Sequence, residues 1–420
     1  METGLRAHAL RIAASLLAAH FNRDHSDHDG AHRPCPCGAR ARFAGRRARR
    51  IVSVLGPLEL VRAYYHCAAC GEGFFPRDDT LGIAGAHLSP GVQRMVGAVG
   101  AAVSFDEGAG LLHELAGISV PARQVERYAE ALGEEVARYE RDTVQAPAAA
   151  PSQTMYLGQD GTGVPMRQEA LRGRRGKHAD GVAKTREMKL CTVWTADSRD
   201  AAGLPSRDAG SVRYSAAIES AESKDTAKTL APFAQRVERE ARRSGFATAA
   251  CQVAIGDGAA WLWNIVDECF PNAIQILDKF HAKQHVHEVG KAVFGADSDL
   301  GHEWIKQRCA ELDAGQIDVL IEAIEAKNSR SDVARTCAGY FRNHRHRMDY
   351  PKFEAMGLCV GSGVVEAGCK TAIGARMKRA GMRWSERGAN AIAALRCCRL
   401  SGRYDHFWRW RTPSGTPKVA

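Results

Sequence analysis

Apolar and polar positions change period three times along the chain, and each change predicts a different kind of structure. Residues 1–25 carry a weak amphipathic helix (Leu5, Leu10, Ile12, Leu16, Leu17) that runs into the polar stretch His25-Ser-Asp-His-Asp-Gly30. Ile51–Val54 and Leu58–Tyr65 flank Gly56-Pro57, which reads as strand, turn, strand. From Leu88 to Glu140 the period becomes helical. Ser89-Pro90 supplies an N-cap followed by proline at the first helical position. Ser104 opens a second helix that Gly117 ends, and Ser119–Pro121 introduces a third, running through Tyr139. Pro147–Ser152 reads as a linker.

Beyond it, strands alternate with helices. Strands are predicted at Met155–Gln159, Met188–Ala196, Val212–Ile218, Ala250–Ile255 and Ala273–Leu277, with helices at Asp225–Arg242 and Ala259–Cys269. Three strands, helix, strand, helix, strand is the order of an RNase H-like sheet. Residues from Phe280 to about Met356 carry no strand signal and read as an all-helical insertion before a last helix near Ser362. The expected fold is therefore multidomain, α+β with α/β. It comprises an N-terminal helix and linker (1–30), a zinc ribbon (31–80) and a helix-turn-helix-like region (81–145). An RNase H-like catalytic core (152–281) follows, interrupted by the helical insertion (282–361) and completed by a C-terminal catalytic helix region (362–410).

A chain of 420 residues with 45% hydrophobic content has enough material for two to four packed domains. No apolar run approaches the roughly 20 residues of a membrane span. The N-terminus lacks the pattern of a signal peptide, so a cytoplasmic location without membrane contact is expected. Lys and Arg number 58 against 48 Asp and Glu, a net charge of +10. The excess is clustered at Ala39–Arg50, Arg167–Lys189 and Arg376–Arg411. Such clusters suit a polyanionic partner or are simply solvated faces.

Thirteen cysteines in a chain without a signal read as reduced thiols and metal ligands. Cys35-Pro-Cys37-Gly38 and Cys67-Ala-Ala-Cys70-Gly71 place a short-spaced pair, followed by glycine, near each end of the hairpin. Four thiolates brought together suit a structural zinc ion, although the first pair is C-x-C rather than the commoner C-x₂-C. His20, His25, His28 and His32 have no fixed ligand spacing and read as polar linker. Arg123 and Arg127 open the third helix of the 88–140 region. That fits a recognition helix, or plain helical packing with exposed cations.

Asp160, in Tyr156-Leu-Gly-Gln-Asp-Gly, ends an apolar run, and Asp257, in Val253-Ala-Ile-Gly-Asp-Gly, ends another. In the predicted topology their strands are neighbours. Glu366, at the start of the last helix with Ser362 as candidate N-cap, is expected to return to the same rim. Three converging carboxylates need a cation, and hard oxygen ligands select Mg²⁺ or Mn²⁺. Two such ions can clamp a phosphate for in-line attack. Asp160 and Asp257 also precede glycine, as turn residues do, and Glu366 can pair with Lys370 at i, i+4.

Together these residues resemble the DDE-type bacterial insertion-sequence transposases of the ISKra-type group, related to the mutator-like transposases. The resemblance rests on Asp160-Gly-Thr162, Thr185-Arg-Glu187, Gly256-Asp-Gly258, Ser362-Gly-x-x-Glu366, Met377-Lys-Arg379, Met382-Arg-Trp384 and the cysteine pairs. Asp278 and His281 match the Cys-or-Asp, x, x, His motif of mutator-like enzymes. It implies a transposase that cleaves DNA at element ends and transfers the strand, with Asp160, Asp257 and Glu366 holding two Mg²⁺ or Mn²⁺ ions. His281 would donate to a phosphate or to the leaving oxygen, or is a packed histidine; Asp278 competes with Asp257 as a ligand. Double-stranded DNA is the implied partner, at terminal inverted repeats and target, with at least a homodimer acting in a nucleoid-associated setting. Arg174, Arg175, Lys177 and Arg186, in the basic stretch after the first strand, are expected to meet DNA. So are Arg376, Lys378, Arg379 and Arg383 on the last helix. Trp384 would stack on an unpaired base or belong to the core, and Trp261 and Trp263 favour helix packing. The alternatives are a simple RNase H-like nuclease, or a zinc-ribbon and helix-turn-helix DNA-binding protein whose RNase H-like domain is inactive.

Overall fold

The computed structural model describes residues 1–144, 153–176, 181–222, 229–329 and 331–411. They fall into two compact units, Met1–Val136 with Gly402–Ala420, and Ala137–Ser401.

In the first unit, helix α1 (Glu2–Arg23) covers an antiparallel sheet in the order β1 (His32–Pro34), β2 (Arg40–Ser53), β3 (Gly56–His66), β4 (Gly73–Phe74). Ala14 of α1 packs with Ile51, Leu58, Leu60 and Ile83. The Asn22 side chain accepts from Val61 N–H at 2.8 Å and donates to Glu59 O at 3.0 Å, which fixes α1 along β3. Strand β2 is far longer than the apolar run alone predicts, because it takes in the whole arginine-rich segment. Its register shifts between Phe43 and Arg46, where Gly45 has φ +93°. A bulge there re-aims the following arginines. Arg46 reaches Asp27 at 2.9 Å, and Arg49 and Arg62 share Asp78. Asp27 is buried and also accepts from Ala63 N–H at 2.7 Å. The segment expected to be linker is thus pinned to the sheet by one carboxylate.

After a short helix α2 (Pro76–Thr80) come α3 (Pro90–Ala102), α4 (Phe105–Ala116) and α5 (Ala122–Asp142). Ser89 and Ser104 cap as expected, and Gly117 ends α4 at φ +69°. Leu88, Val92, Val96, Leu112, Ile118, Val120 and Val125 form the shared core. The helix Tyr404–Arg411 belongs to this unit: Arg411 pairs with Glu135 at 2.5 Å and Tyr404 Oη donates to Arg94 O at 2.7 Å. It therefore separates from the 362–410 segment in which the sequence placed it.

The second unit is built on a five-stranded mixed sheet. Its strands are β5 (Thr154–Pro165), β6 (Thr185–Thr195), β9 (Arg213–Ala217), β10 (Cys251–Gly256) and β11 (Ile274–Leu277), with a small ribbon β7 (Ser198–Arg199) and β8 (Pro205–Ser206) beside it. The order is β11-β10-β5-β6-β9, with β5, β6 and β9 antiparallel and β10 and β11 parallel to β5. Helices α6 (Pro232–Ser244) and α7 (Ala260–Cys269) cover one face, where Met155, Leu157, Cys191 and Val193 meet Phe233, Val237 and Ile265. Trp263 is buried and Trp261 packs against that core, as helix packing predicts.

From β11 the chain is helical: α8 (Lys279–Phe294), α9 (Asp299–Asp313), α10 (Ile317–Glu325), α11 (Asp332–His344) and α12 (Tyr350–Ala355). It then returns through α13 (Gly363–Gly368), a π-helical turn Cys369–Gly374, α14 (Ala375–Met377) and α15 (Glu386–Leu400). The single last helix expected from Ser362 is therefore broken. Lys378, Arg379 and Arg383 lie on the connection after α14. Among the described residues no helix is long and apolar enough to cross a membrane.

Candidate active site and metal centre

The hairpin of the first unit brings its four cysteines together. Their sulfurs all lie within 4.8 Å of one another, with Cys35–Cys70 and Cys37–Cys67 at 3.7 Å. Tetrahedral zinc with bonds of about 2.3 Å sets sulfurs about 3.8 Å apart, so the donor set fits that ion. Each pair sits on a tight turn: Gly38 N–H donates to Cys35 O and Gly71 N–H to Cys67 O, both at 2.9 Å. Gly38 (φ +88°) and Gly71 (φ +75°) occupy the left-handed region that a Cβ disfavours. The C-x-C pair therefore closes as well as the C-x₂-C pair.

In the second unit Asp160 is not at a strand end. Strand β5 continues to Pro165, and Asp160 pairs in register with Leu190. The Asp-Gly here is strand rather than turn, since Gly161 pairs with Lys189 and leaves room for the Glu187 side chain. Asp257 follows directly on β10, whose Ile255 pairs with Gly158 of β5. The two aspartates thus stand at nearly the same level on adjacent parallel strands, Asp160 within β5 and Asp257 just past the end of β10. Asp257 Oδ1 accepts from Ala259 N–H at 3.0 Å.

Side chains alternate along a strand, so Gly158 and Asp160 share a face. Helix α13 lies on that face. A Cβ at Gly158 would come within 2.1 Å of Val365 Cγ2, and one at Gly368 within 2.9 Å of Leu190 and Tyr214. Glycine at both contact points lets helix and sheet approach, which sets Glu366, one residue past Val365, over the same face. Cys369 follows at i+3 and its thiol bonds the Asp160 carboxylate. Burial pushes the Asp160 carboxyl up; the Cys369 thiol and the Gly161 N–H (2.6 Å) hold it down, and the charges of Asp257 and Glu366 push it further up. Glu366 lies 3.8 Å from Lys370, with the two side chains 59% and 81% exposed. An exposed pair of this kind is weak. Among the described residues only the four cysteines bring three or more ligand atoms within 4.8 Å.

The return of the chain to this face is fixed by backbone bonds. Asp278 is 1% exposed. One of its carboxylate oxygens accepts from His281 N–H at 2.7 Å and the other from Ser362 N–H. Lys279 N–H donates to Val360 O at 3.0 Å, and Cys359 N–H to Tyr156 Oη at 3.1 Å. Asp278 is thus a helix cap and a clasp for the strap leading to Glu366. With both oxygens engaged by amides it is poorly placed to replace Asp257 as a ligand.

His281 is half-buried beside His285, with ring centroids 4.8 Å apart, and His285 lies 4.3 Å from Tyr340. Tyr340 Oη donates to Asp257 O at 2.7 Å, and its ring fills the space that a Cβ on Gly258 (φ +97°) would need. His344 also bonds the Gly258 backbone; burial, aided by Arg347, pushes its pKa down to about 4. His285, Tyr340, His344 and Cys369 were not singled out from the sequence. The i, i+4 spacing of His281 and His285 was a visible signal, whereas nothing local to Tyr340 or His344 points to Asp257.

The basic residues divide. Arg123 and Arg127 are exposed one turn apart at the start of α5, and Arg174, Arg175, Lys378, Arg379 and Arg383 are exposed as well. Lys378 donates to the Thr162 hydroxyl. Lys177 lies outside the described residues. Arg376 is fully buried, 5.0 Å from the Trp384 ring and bonded to Met382 Sδ at 3.4 Å, so it is core and cannot meet a phosphate. Arg186 is mostly buried against Glu386, which removes it from an open DNA surface. Trp384 is buried, with its indole N–H donating to Met377 O at 3.0 Å, so of its two readings the structure takes the core one.

No protein-family model matches the chain, and no curated protein matches it. Among solved structures, the Drosophila P element transposase strand transfer complex aligns over 76% of this chain and 80% of that one, at 9% identity and a TM-score of 0.22. A likeness at that level carries no argument about fold or activity.

Proposed function

We propose that the protein is a DDE-type transposase acting on DNA by metal-dependent phosphoryl transfer. One observation carries the reading. Asp160, within β5, and Asp257, just past the adjacent parallel β10, stand at one level, and α13, seated on Gly158, carries Glu366 over the same face. The strand order and directions are those expected of an RNase H-like sheet, which supports it further. The charges of Asp257 and Glu366 both act to raise the Asp160 carboxyl, which fits a site that accepts cations. These three residues would hold Mg²⁺ or Mn²⁺, which when bound supply activation of the attacking oxygen and neutralise charge on the phosphate.

The chain's own residues then do three things. The clasp at Asp278 and the Tyr340 bond hold the Glu366 strap and the Asp257 loop in place, so little reorganisation is needed at reaction. Lys378, on Thr162 two residues past Asp160, offers a cation to a phosphate on the same face. His281, beside His285 near the start of α8, would donate a proton to the phosphate or to the leaving oxygen. Water attacks the phosphate at the element end and frees a 3′-hydroxyl; that hydroxyl then attacks a target phosphate and displaces its 3′-oxygen. The cysteine cluster would hold structural zinc, and Arg123 and Arg127 would meet DNA from α5. Two ends cut in concert imply at least a dimer.

The test uses DNA carrying the inverted repeats that flank the coding sequence, with Mn²⁺. Wild type should nick and join it. Asp160→Asn, Asp257→Asn and Glu366→Gln should each lower the rate by on the order of 10³-fold or more while DNA binding persists. Joining that survives Asp160→Asn would overturn the assignment.

A further inference from the structure

Past the carboxylates, the far end of the β5–β6 hairpin holds a cleft of about 540 Å³. Arg172, Arg174, Lys184 and Arg383 line it together with Met166 and Gln168, and no carboxylate is among its described lining residues. A concave surface of one sign focuses potential on an anion. The segments bearing Arg383 and Lys184 are firmly held. Trp384 N–H donates to Pro165 O at 3.1 Å and Arg167 N–H donates to Trp384 O at 2.8 Å, so the segment bearing Arg383 is laced to the end of β5. Met166 N–H donates to Lys184 O at 3.2 Å, which fixes the opposite wall. The buried Trp384 ring anchors the lacing to the core.

Strand β5 also acts as a ruler. Pro165 at the cleft lies five residues past Asp160, which at about 3.4 Å per residue is roughly 17 Å. Each DNA strand presents a phosphate about every 3.4 Å along the helix axis, so that span corresponds to about five nucleotides. Lys378, on the Thr162 hydroxyl, stands between the two places. The cations thus continue from the carboxylates along one direction. We propose that this cleft binds the sugar–phosphate backbone of duplex DNA about five nucleotides from the phosphate that is cut. The distance to the cut rests on the transposase reading; the binding of a DNA backbone does not.

The experiment has two arms on the full-length protein. Binding of a random-sequence duplex of about 30 base pairs is measured against salt without divalent metal, since each phosphate contact contributes about 0.9 to the slope. Replacing Arg172, Arg174, Lys184 and Arg383 with Gln should make the slope shallower by about 3.6. Arg172→Gln with Arg174→Gln alone should give about half that change, which guards against a folding defect in the larger variant. In the second arm, phosphate ethylation of the end substrate should interfere with cleavage about five nucleotides from the cut in wild type, and this signal should vanish in the variant. An unchanged slope would overturn the proposal, as would interference confined to phosphates beside the cut. A slope that falls although no DNA is ever cut would keep the cleft as a backbone site and sink the transposase reading instead.

Discussion

Gly158 shows how a single missing Cβ decides where a helix can lie. Its neighbour is Val365, some two hundred residues later. Gly158→Ala should clash with Val365 Cγ2 and Trp194 and destabilise the second unit by about 1–3 kcal/mol. Val365→Ala in the same chain should recover part of that loss, and a denaturant double-mutant cycle reads the coupling. Additive effects would mean that α13 does not rest there. His344 gives a prediction of a different kind. Its folded pKa of about 4 lies below the ordinary histidine value of 6.5, so the folded state prefers neutral imidazole. The resulting stability is present above pH 6.5 and is lost as pH falls towards 4, by about 3 kcal/mol at most. His344→Phe should flatten the dependence of Tm on pH across that window; an unaltered slope would place the titration elsewhere.

At the scale of elements, the hairpin and the helical insertion each depend on a few organising contacts. The sheet β1–β4 is small, and its far end is closed by four thiols instead of a broad apolar core. Purified protein should contain zinc in a stoichiometric amount with the chain, lost in Cys67→Ser. Chelation should then lower the unfolding temperature of the first unit and leave the transition of the second in place, because metal binding is part of the folding energy of such hairpins. A metal-free protein with an unchanged first transition would refute this. The insertion works through its ends: Asp278 at the start of α8, and Tyr340 and His344 on α11, fix the loops that carry Glu366 and Asp257.

Across the whole molecule, the net charge of +10 resolves into arginines with different duties. Arg46, Arg49 and Arg62 are tied to Asp27 and Asp78, and Arg376 is core. Arg172, Arg174, Lys184 and Arg383 gather at one cleft. Composition counts these cations alike, since charge in a sequence carries no sign of burial.

The succession of strands and helices was legible from period and punctuation, because a run such as Val253-Ala-Ile bounded by Gly256-Asp257-Gly258 fits a buried strand ending at a turn, whereas the end of β5 was not, since it runs through Asp160-Gly161 to Pro165. The cysteine pairs were legible for a similar reason: ligand spacing and the glycine after each pair are local requirements. Asp278 was noticed, but its duty was not, since the partner that defines it is the Ser362 amide far along the chain. Arg376 and Arg383 belong to one basic cluster in sequence, yet one is sealed under Trp384 and the other lines a cleft. What the chain determined by itself was therefore whatever neighbours in sequence can enforce: period, caps, turns and ligand spacing. Only the tertiary structure decided which side chains meet across the insertion, because packing of α13 on the sheet, through Gly158 on β5 and Gly368 on the helix, depends on shapes that no local pattern contains.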